Sequence, residues 1–275
     1  MTAATNRAPV QNSGAPLVDT HAHIFLRDLP LVEGATHLPA RSFTAEDYLQ
    51  TLDENGVLYG VIAAPSFLGS YNDYTIDAMR ATRRLRATAI VEPSIDRYAL
   101  KAMDADGIVG IRFSLRRYSS PDLTSPEYRR LLRRVADLGW HVHLFAEGPR
   151  LAALLPLLVD SGVNLVVDHF GAPVQELGEE SPGFQAILRA LPSGRIWVKM
   201  SAPYRFQGVD CAALARKLLA EAGPDRLLWG SDWPWTGFDA QFGYRDTIAW
   251  FEDWVPDAAT REKIGRTAAA LYRFI

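Results

Sequence analysis

Cysteine is nearly missing from this chain: Cys211 is the single one in 275 residues. That excludes an internal disulfide and any zinc site built from clustered cysteines, and it fits a small buried filler in a reducing, cytoplasmic compartment. An excess of one charge is missing too. The 29 basic and 32 acidic side chains leave a formal charge of −3, so no bulk attraction to nucleic acid or to an anionic membrane is expected. No apolar run approaches the ~20 residues that cross a bilayer, and the densest, Leu151 to Val159, is interrupted by Pro156. Residues 1–16 lack the apolar stretch of a secretory signal and read as a flexible tail, leaving 17–275 as one catalytic-sized domain.

What the chain does contain is core material. With 48% hydrophobic and 11% aromatic residues it is expected to fold around a substantial interior, not to remain disordered. Strand-like runs alternate with amphipathic stretches throughout. The strands are read at Leu17 to Phe25, Val57 to Pro65, Ala87 to Glu92, Gly107 to Leu115, His141 to Ala146, Asn164 to Phe170, Arg195 to Ser201 and Arg226 to Ser231. The helices between them are read from Ser42 or Thr44 onward, then at Asp73 to Leu85, Ile95 to Met103, Ser125 to Leu138, Pro149 to Asp160, Pro182 to Leu191, Asp210 to Ala222 and Tyr244 to Val255. Ala258 to Tyr272 is a last helix. The best marked is Ser125 to Leu138, with a serine cap, a first-turn proline and an early glutamate.

Eight strands each followed by a helix predict an α/β fold of the (β/α)8 TIM-barrel type. The open doubly wound alternative normally places a glycine-rich turn after its first strand; here that turn reads HAHIFLRD.

Catalytic groups of a barrel stand at the C-terminal ends of its strands. His21 and His23, two apart on the first strand, share a face and can bind a metal or polarise a carbonyl. His169 ends strand six on the face of Leu165 and Val167, which reads as barrel interior, and Asp232 ends strand eight as an acid carried inward among apolar neighbours, where it needs a partner or a task. His143 on strand five reads equally as a metal ligand, a substrate contact or a packed ring, whereas His141 lies deeper. Arg112 within strand four, Arg116 and Arg117 just after it, and Arg205 after strand seven offer forks for an anionic substrate. Ser66 and Asn72 follow strand two. His37 sits in the segment after strand one, and Tyr204 beside Arg205 reads equally as packing. The run RRLLRR, residues 129–134, is the solvated face of a helix.

Taken in order, DTHAHIF, PSFLGSYN, GIVGIRFSL, HFGAP, VKMSAPYR and WGSDWPWT resemble the amidohydrolase superfamily, from Leu17 to Leu271. Within it they are most similar to the branch of 2-pyrone-4,6-dicarboxylate, sugar-acid and sulfomuconolactone lactonases. The resemblance implies hydrolysis of a small anionic lactone, with Asp232 as the base that activates water. His21, His23 and His169 would polarise the carbonyl. It further implies that Arg112, Arg117 and Arg205 hold the substrate carboxylates, and Ser66 matches the hydroxyl expected near one of them; Asn72 and His143 are read as further candidate substrate contacts. It implies no required metal, although zinc-binding lactonases occur in the branch, and His21, His23, His169 and Asp232 could supply a mononuclear zinc site. A binuclear centre is not expected, since strand four offers Arg112 where such centres use a lysine or glutamate bridge. A tyrosine that the dicarboxylate lactonase would place after strand five has no counterpart in HVHLFA. The rival readings are a metal-dependent decarboxylase of an aromatic or muconic acid, a zinc-dependent lactonase, and a non-catalytic anion-binding barrel. A monomer or homodimer is expected, with no nucleic-acid or membrane partner.

Overall fold

A computed structural model describes residues 14–35, 39–115, 120–238 and 241–275. Eight parallel strands pair in sequence order: β1 (Val18–Ala22), β2 (Tyr59–Ala63), β3 (Leu85–Ala89), β4 (Ile108–Ser114), β5 (His141–Phe145), β6 (Asn164–Val167), β7 (Ile196–Met200) and β8 (Leu227–Trp229). A bridge between Ala22 and Trp233 joins the last strand's extension to the first, so the sheet curls into a nearly closed barrel. The helices are α1 (Ala45–Glu54), α2 (Asp73–Ala81), α3 (Arg97–Ala105), α4 (Pro126–Asp137), α5 (Gly148–Asp160), α6 (Pro182–Ala190), α7 (Cys211–Ala222), α8 (Tyr244–Trp254) and α9 (Ala258–Leu271). The expected architecture is therefore present. No helix among the described residues is long and apolar enough to cross a membrane.

Local chemistry sets the boundaries. Thr44 caps α1 in a reciprocal box with Asp47, and Ser125 accepts from Tyr128 N ahead of Pro126 to start α4, as such residues do wherever the first turn leaves amide groups unpaired. The second helix stops earlier than the sequence suggests. Thr82 is already extended, which lets β3 begin at Leu85 instead of Ala87.

Two apolar regions account for most of the packing, with two small clusters at the mouth around Phe25 and Phe145. The larger lies between barrel and helices and includes Val142 and Leu144 of β5, Leu165 and Val167 of β6, and Val198 and Met200 of β7. The smaller plugs the N-terminal end of the barrel, where Val18, Val61, Val109, Val166 and Leu228 meet Ala268, Ala269 and Tyr272 at the end of α9. This corrects one face assignment. Leu165 and Val167 point to the helices and Val166 points inward, so the alternation does not carry through to His169. The chain leaves the extended conformation there, with His169 at φ 50°, and that left-handed turn brings the ring into the barrel mouth.

Candidate active site

Between the apolar plug and the mouth, the barrel interior is polar and almost dry. His21, Asp168, His143, Lys199 and Asp232 are all 0% exposed, and Arg112 is 4% exposed. Burying that many ionisable groups is costly unless each is paired. The pairing forms two clusters that share one imidazole.

The inner cluster is centred on Asp168. One carboxylate oxygen meets His21 Nδ1 at 3.1 Å and His143 Nε2, and the other accepts from Arg112 Nη2 at 3.2 Å. Lys199 reaches in from β7. Its Nζ donates to Thr20 O at 2.6 Å and lies 3.0 Å from His143 Nε2, 3.3 Å from His21 Nδ1 and 3.6 Å from Asp168 Oδ1. Burial alone would raise the Asp168 carboxyl, but His143, His21 and Lys199 hold it well below the usual carboxylate range. The same burial lowers Lys199 to about 8, even with Asp168 pulling it upward.

The outer cluster opens toward the mouth. Asp232 Oδ2 accepts from Arg205 Nε at 2.8 Å and from the Tyr204 hydroxyl. Its other oxygen, Oδ1, is buried with no hydrogen-bond partner and stands 3.5 Å from both His21 Nε2 and His23 Nε2. Burial pushes the Asp232 carboxyl up, yet Arg205 and His169 outweigh it and the group stays ionised.

Ring tautomers follow from the partners. His23 Nδ1 faces the Ala63 carbonyl at 2.7 Å, which can only accept, so Nδ1 carries the proton and Nε2 a lone pair. His21 Nδ1 faces both the ionised Asp168 at 3.1 Å and the Lys199 ammonium at 3.3 Å; the closer, accepting carboxylate favours the same tautomer. Desolvation keeps both rings neutral by lowering their proton affinity. The two Nε2 atoms, 3.3 Å apart, and Asp232 Oδ1 thus converge as three acceptors. Neutral, His21 and His23 cannot donate to a carbonyl as expected of them; they can accept a proton. His169 differs. Its Nδ1 lies 2.7 Å from the Ser201 hydroxyl, which can donate or accept, so this partner permits the tautomer with Nε2–H; burial lowers this ring to about 4, so it is neutral near pH 7.

The donor set suits a metal as well. His21, His169 and Asp232 place one ligand atom each within 4.8 Å of one another, and His21, His143 and Asp168 do likewise. The unpartnered Asp232 Oδ1 and the two unprotonated Nε2 atoms are the chemistry a mononuclear divalent ion requires, so the outer set fits one.

Backbone geometry supports this arrangement. The register of β1 against β2 slips between Asp19 and Ala22, a kink of the sort that re-aims side chains beside sites. Asp19 accepts from Ser231 N, Ser231 Oγ and Tyr244 OH at 2.8, 2.5 and 3.0 Å, tying the residue next to Asp232 to β1. Asp232 and Ala202 are left-handed at φ 59° and 52°, a conformation that non-glycine residues adopt at a cost and that clusters at functional sites. Gly230 has no alternative: a Cβ there would stand 2.7 Å from His21 Cβ.

Several expectations change. Arg112 was expected to hold a substrate carboxylate, yet its nearest carboxylate is Asp168, and Nη1 donates to Ala64 O at 2.7 Å; only its buried Nε lacks a partner. Arg205, likewise expected to clamp substrate, is paired with Asp232. His143, fully buried, sits in the inner cluster with Thr88 on its other nitrogen at 3.4 Å. Asn72 spends its side-chain nitrogen on Ser70 O and Ile90 O, securing the loop after β2. Ser66 is partly buried and opens the short turn Ser66–Leu68. Arg116, Arg117 and His37 lie outside the described residues. Asp168, Lys199, Asp19 and Ser201 were not anticipated, although Asp168 and Lys199 are charges inside apolar strands, the signal that identified Asp232. Tyr204, left open between packing and function, packs at tilted angles against Phe238 and Phe242 while its hydroxyl holds Asp232.

Beside Arg205 and Tyr204 a cleft of about 750 Å³ opens among the loops after β5, β6, β7 and β8, with Arg150, Gln175 and Gln207 contributing polar groups. It lies at the C-terminal face of the barrel, where barrel sites form.

The chain is similar to known proteins. The chain is 29% identical over 258 residues to a 4-sulfomuconolactone hydrolase of Rhizobium radiobacter, covering 90% of this chain and 86% of that protein. It is 28% identical over 237 residues to a 2-pyrone-4,6-dicarboxylate hydrolase of Comamonas testosteroni, covering 80% of this chain and 77% of that one. A crystal structure of a probable 2-pyrone-4,6-dicarboxylic acid hydrolase from Acinetobacter baumannii with citric acid bound superposes with a TM-score of 0.89 at 31% identity, covering 94% of this chain and 100% of that one. The amidohydrolase family profile matches residues 18–274, and the chain belongs to that family.

Proposed function

We propose that this chain is a lactonase that opens the ring of a small anionic lactone, with 2-pyrone-4,6-dicarboxylate as the first candidate. The observation that carries the reading is the division of labour on Asp232: Oδ2 is fixed by Arg205 and Tyr204, while Oδ1 is buried, unpartnered and flanked by two imidazole lone pairs. A water placed there donates one hydrogen to Oδ1 and the other to His21 or His23, which leaves its oxygen lone pair free to attack the lactone carbonyl carbon.

As the new C–O bond forms, the proton passes into the acceptor cluster of Asp232, His21 and His23. The carbonyl oxygen becomes an oxyanion, to which His169 presents Nε2–H; a donor of this kind commonly contributes ~10²–10³ in turnover. The ring C–O bond then breaks, and the stored proton returns to the departing oxygen. Substrate carboxylates meet the exposed edge of Arg205 and the unpartnered Nε of Arg112. The bound tricarboxylate in the Acinetobacter relative and the substrates in the relatives' names support an anionic ligand.

A divalent ion held by His21, His23, His169 and Asp232 is the second reading, favoured by the same converging acceptors. It would supply Lewis acidity toward the carbonyl and lower the pKa of water.

The test is loss of pyrone absorbance with purified protein of measured metal content, before and after chelation. Metal-independent turnover that falls by ~10²–10⁴ in Asp232→Asn supports the proposal. No turnover alongside stoichiometric, tightly bound metal overturns it and directs the search to 4-sulfomuconolactone and to decarboxylation, read as CO2 release.

A further inference from the structure

The inner cluster has the makings of a second metal site, with two imidazoles and a carboxylate close enough to share an ion. It is not vacant. Lys199 Nζ stands among those same atoms, 3.0 Å from His143 Nε2, 3.3 Å from His21 Nδ1 and 3.6 Å from Asp168 Oδ1, with Thr20 O at 2.6 Å as a fourth neighbour. Every one of these neighbours is fully buried, and so is the lysine. An ammonium so placed balances the charge of Asp168 as a metal ion would, and Arg112 on the opposite carboxylate oxygen adds a second positive charge. A dication entering this space would meet two fixed cations at short range in a poorly screened interior.

We propose that Lys199 is a built-in cation that occupies the His21–His143–Asp168 cluster, excludes a divalent ion from it, and confines any ion the protein binds to the outer set around Asp232. Lys199 is a positioning residue: its charge holds Asp168, and Asp168 holds the His21 ring whose other nitrogen serves the outer site. The inference does not depend on which lactone is the substrate, since its readout is the number of ions bound.

The experiment compares the parent chain with Lys199→Gln, which keeps polar contacts without charge, and Lys199→Ala, which empties the position. Each is equilibrated with Zn2+ or Co2+, desalted, and analysed for metal per chain and, for Co2+, by its visible spectrum. The parent is expected to hold no more than one ion per chain. At least one variant gains one additional ion, with a new Co2+ absorption and a rise in Tm on metal addition that the parent lacks. Folded variants that take up no extra ion overturn the proposal. Two ions per parent chain overturn it whether or not the variants fold. If neither variant folds, His143→Ala in the otherwise parental chain decides: an unchanged ion count upholds exclusion, and the loss of an ion overturns it.

Discussion

Asp168→Asn keeps the shape of the side chain and removes its charge. In the parent the carboxylate faces Arg112 Nη2 at 3.2 Å and Lys199 Nζ at 3.6 Å, with all three groups buried. Removing one partner of a buried charged set commonly costs about 3–5 kcal/mol, because the remaining charges stay buried without compensation. For a barrel of this size each kcal/mol lowers Tm by roughly 2–4 °C, so the variant should melt about 6–20 °C below the parent at pH 7. The loss should also depend on pH in a defined sense. Lys199 titrates at about 8 in the folded parent, below the ~10.4 of an unfolded lysine. Between those values the unfolded chain binds more protons, and stability rises with pH. Without Asp168 the folded lysine loses its proton at lower pH still, so the variant gains stability over a range where the parent does not. The Tm gap therefore narrows as pH is raised from 5.5 toward 8 and stays constant above it. Calorimetric or circular-dichroism melts across that range test the reasoning. A Tm within 2 °C of the parent at pH 7, or a gap that widens with pH, would refute it.

Gly230→Ala forces a Cβ to within 2.7 Å of His21 Cβ, so a loss of about 1–3 kcal/mol is expected from overpacking, together with lost turnover as His21 moves; melts and kinetics on one preparation check both. Arg205→Met removes the cation that most holds Asp232 below the carboxylate range, and the acid limb of the pH–rate profile should move upward; a limb that does not move means Arg205 does not control the base. His169 titrates at about 4 when folded, against 6.5 in its ordinary state. The unfolded chain therefore binds an extra proton in that window, and this ring's contribution to stability is lost as pH falls through it. His169→Gln should flatten the dependence of Tm on pH between 4 and 6.5 by about one proton's worth, and an unaltered slope would show that the ring is not buried neutral.

The barrel was legible because its signals are local: caps such as Thr44 and Ser125 and apolar runs of strand length recur in order along the chain. The outer cluster was legible for a related reason, since His21, His23 and Asp232 sit at the ends of recognisable strands. The inner cluster was not. Asp168 was overshadowed by its neighbour His169, and Lys199 stands in IWVKM, where nothing local shows that the strand faces a carboxylate from the far side of the barrel. The pairing of Arg112 with Asp168 and of Arg205 with Asp232 escaped notice for the same reason: a sequence shows that an arginine is present but not that the chain's own aspartates also reach it. The face assigned to His169 failed because strand alternation assumes extended backbone, and the chain turns left-handed at that residue.

The meeting of β1 and β8 has a consequence for how the protein comes into being. His21 lies on the first strand, His23 just past its end and Asp232 just past the last strand, and the join between them is made by His23 N to Trp233 O and Asp232 N to His21 O at 2.7 and 2.8 Å. Thr20 Oγ1 reaches Trp229 O across 209 positions of sequence. The candidate site therefore joins the first and last strands of the barrel, and a half-barrel emerging from the ribosome carries His21 and His23 without Asp232. The site proposed here is complete only where the barrel closes, and activity would report that this long-range join has formed.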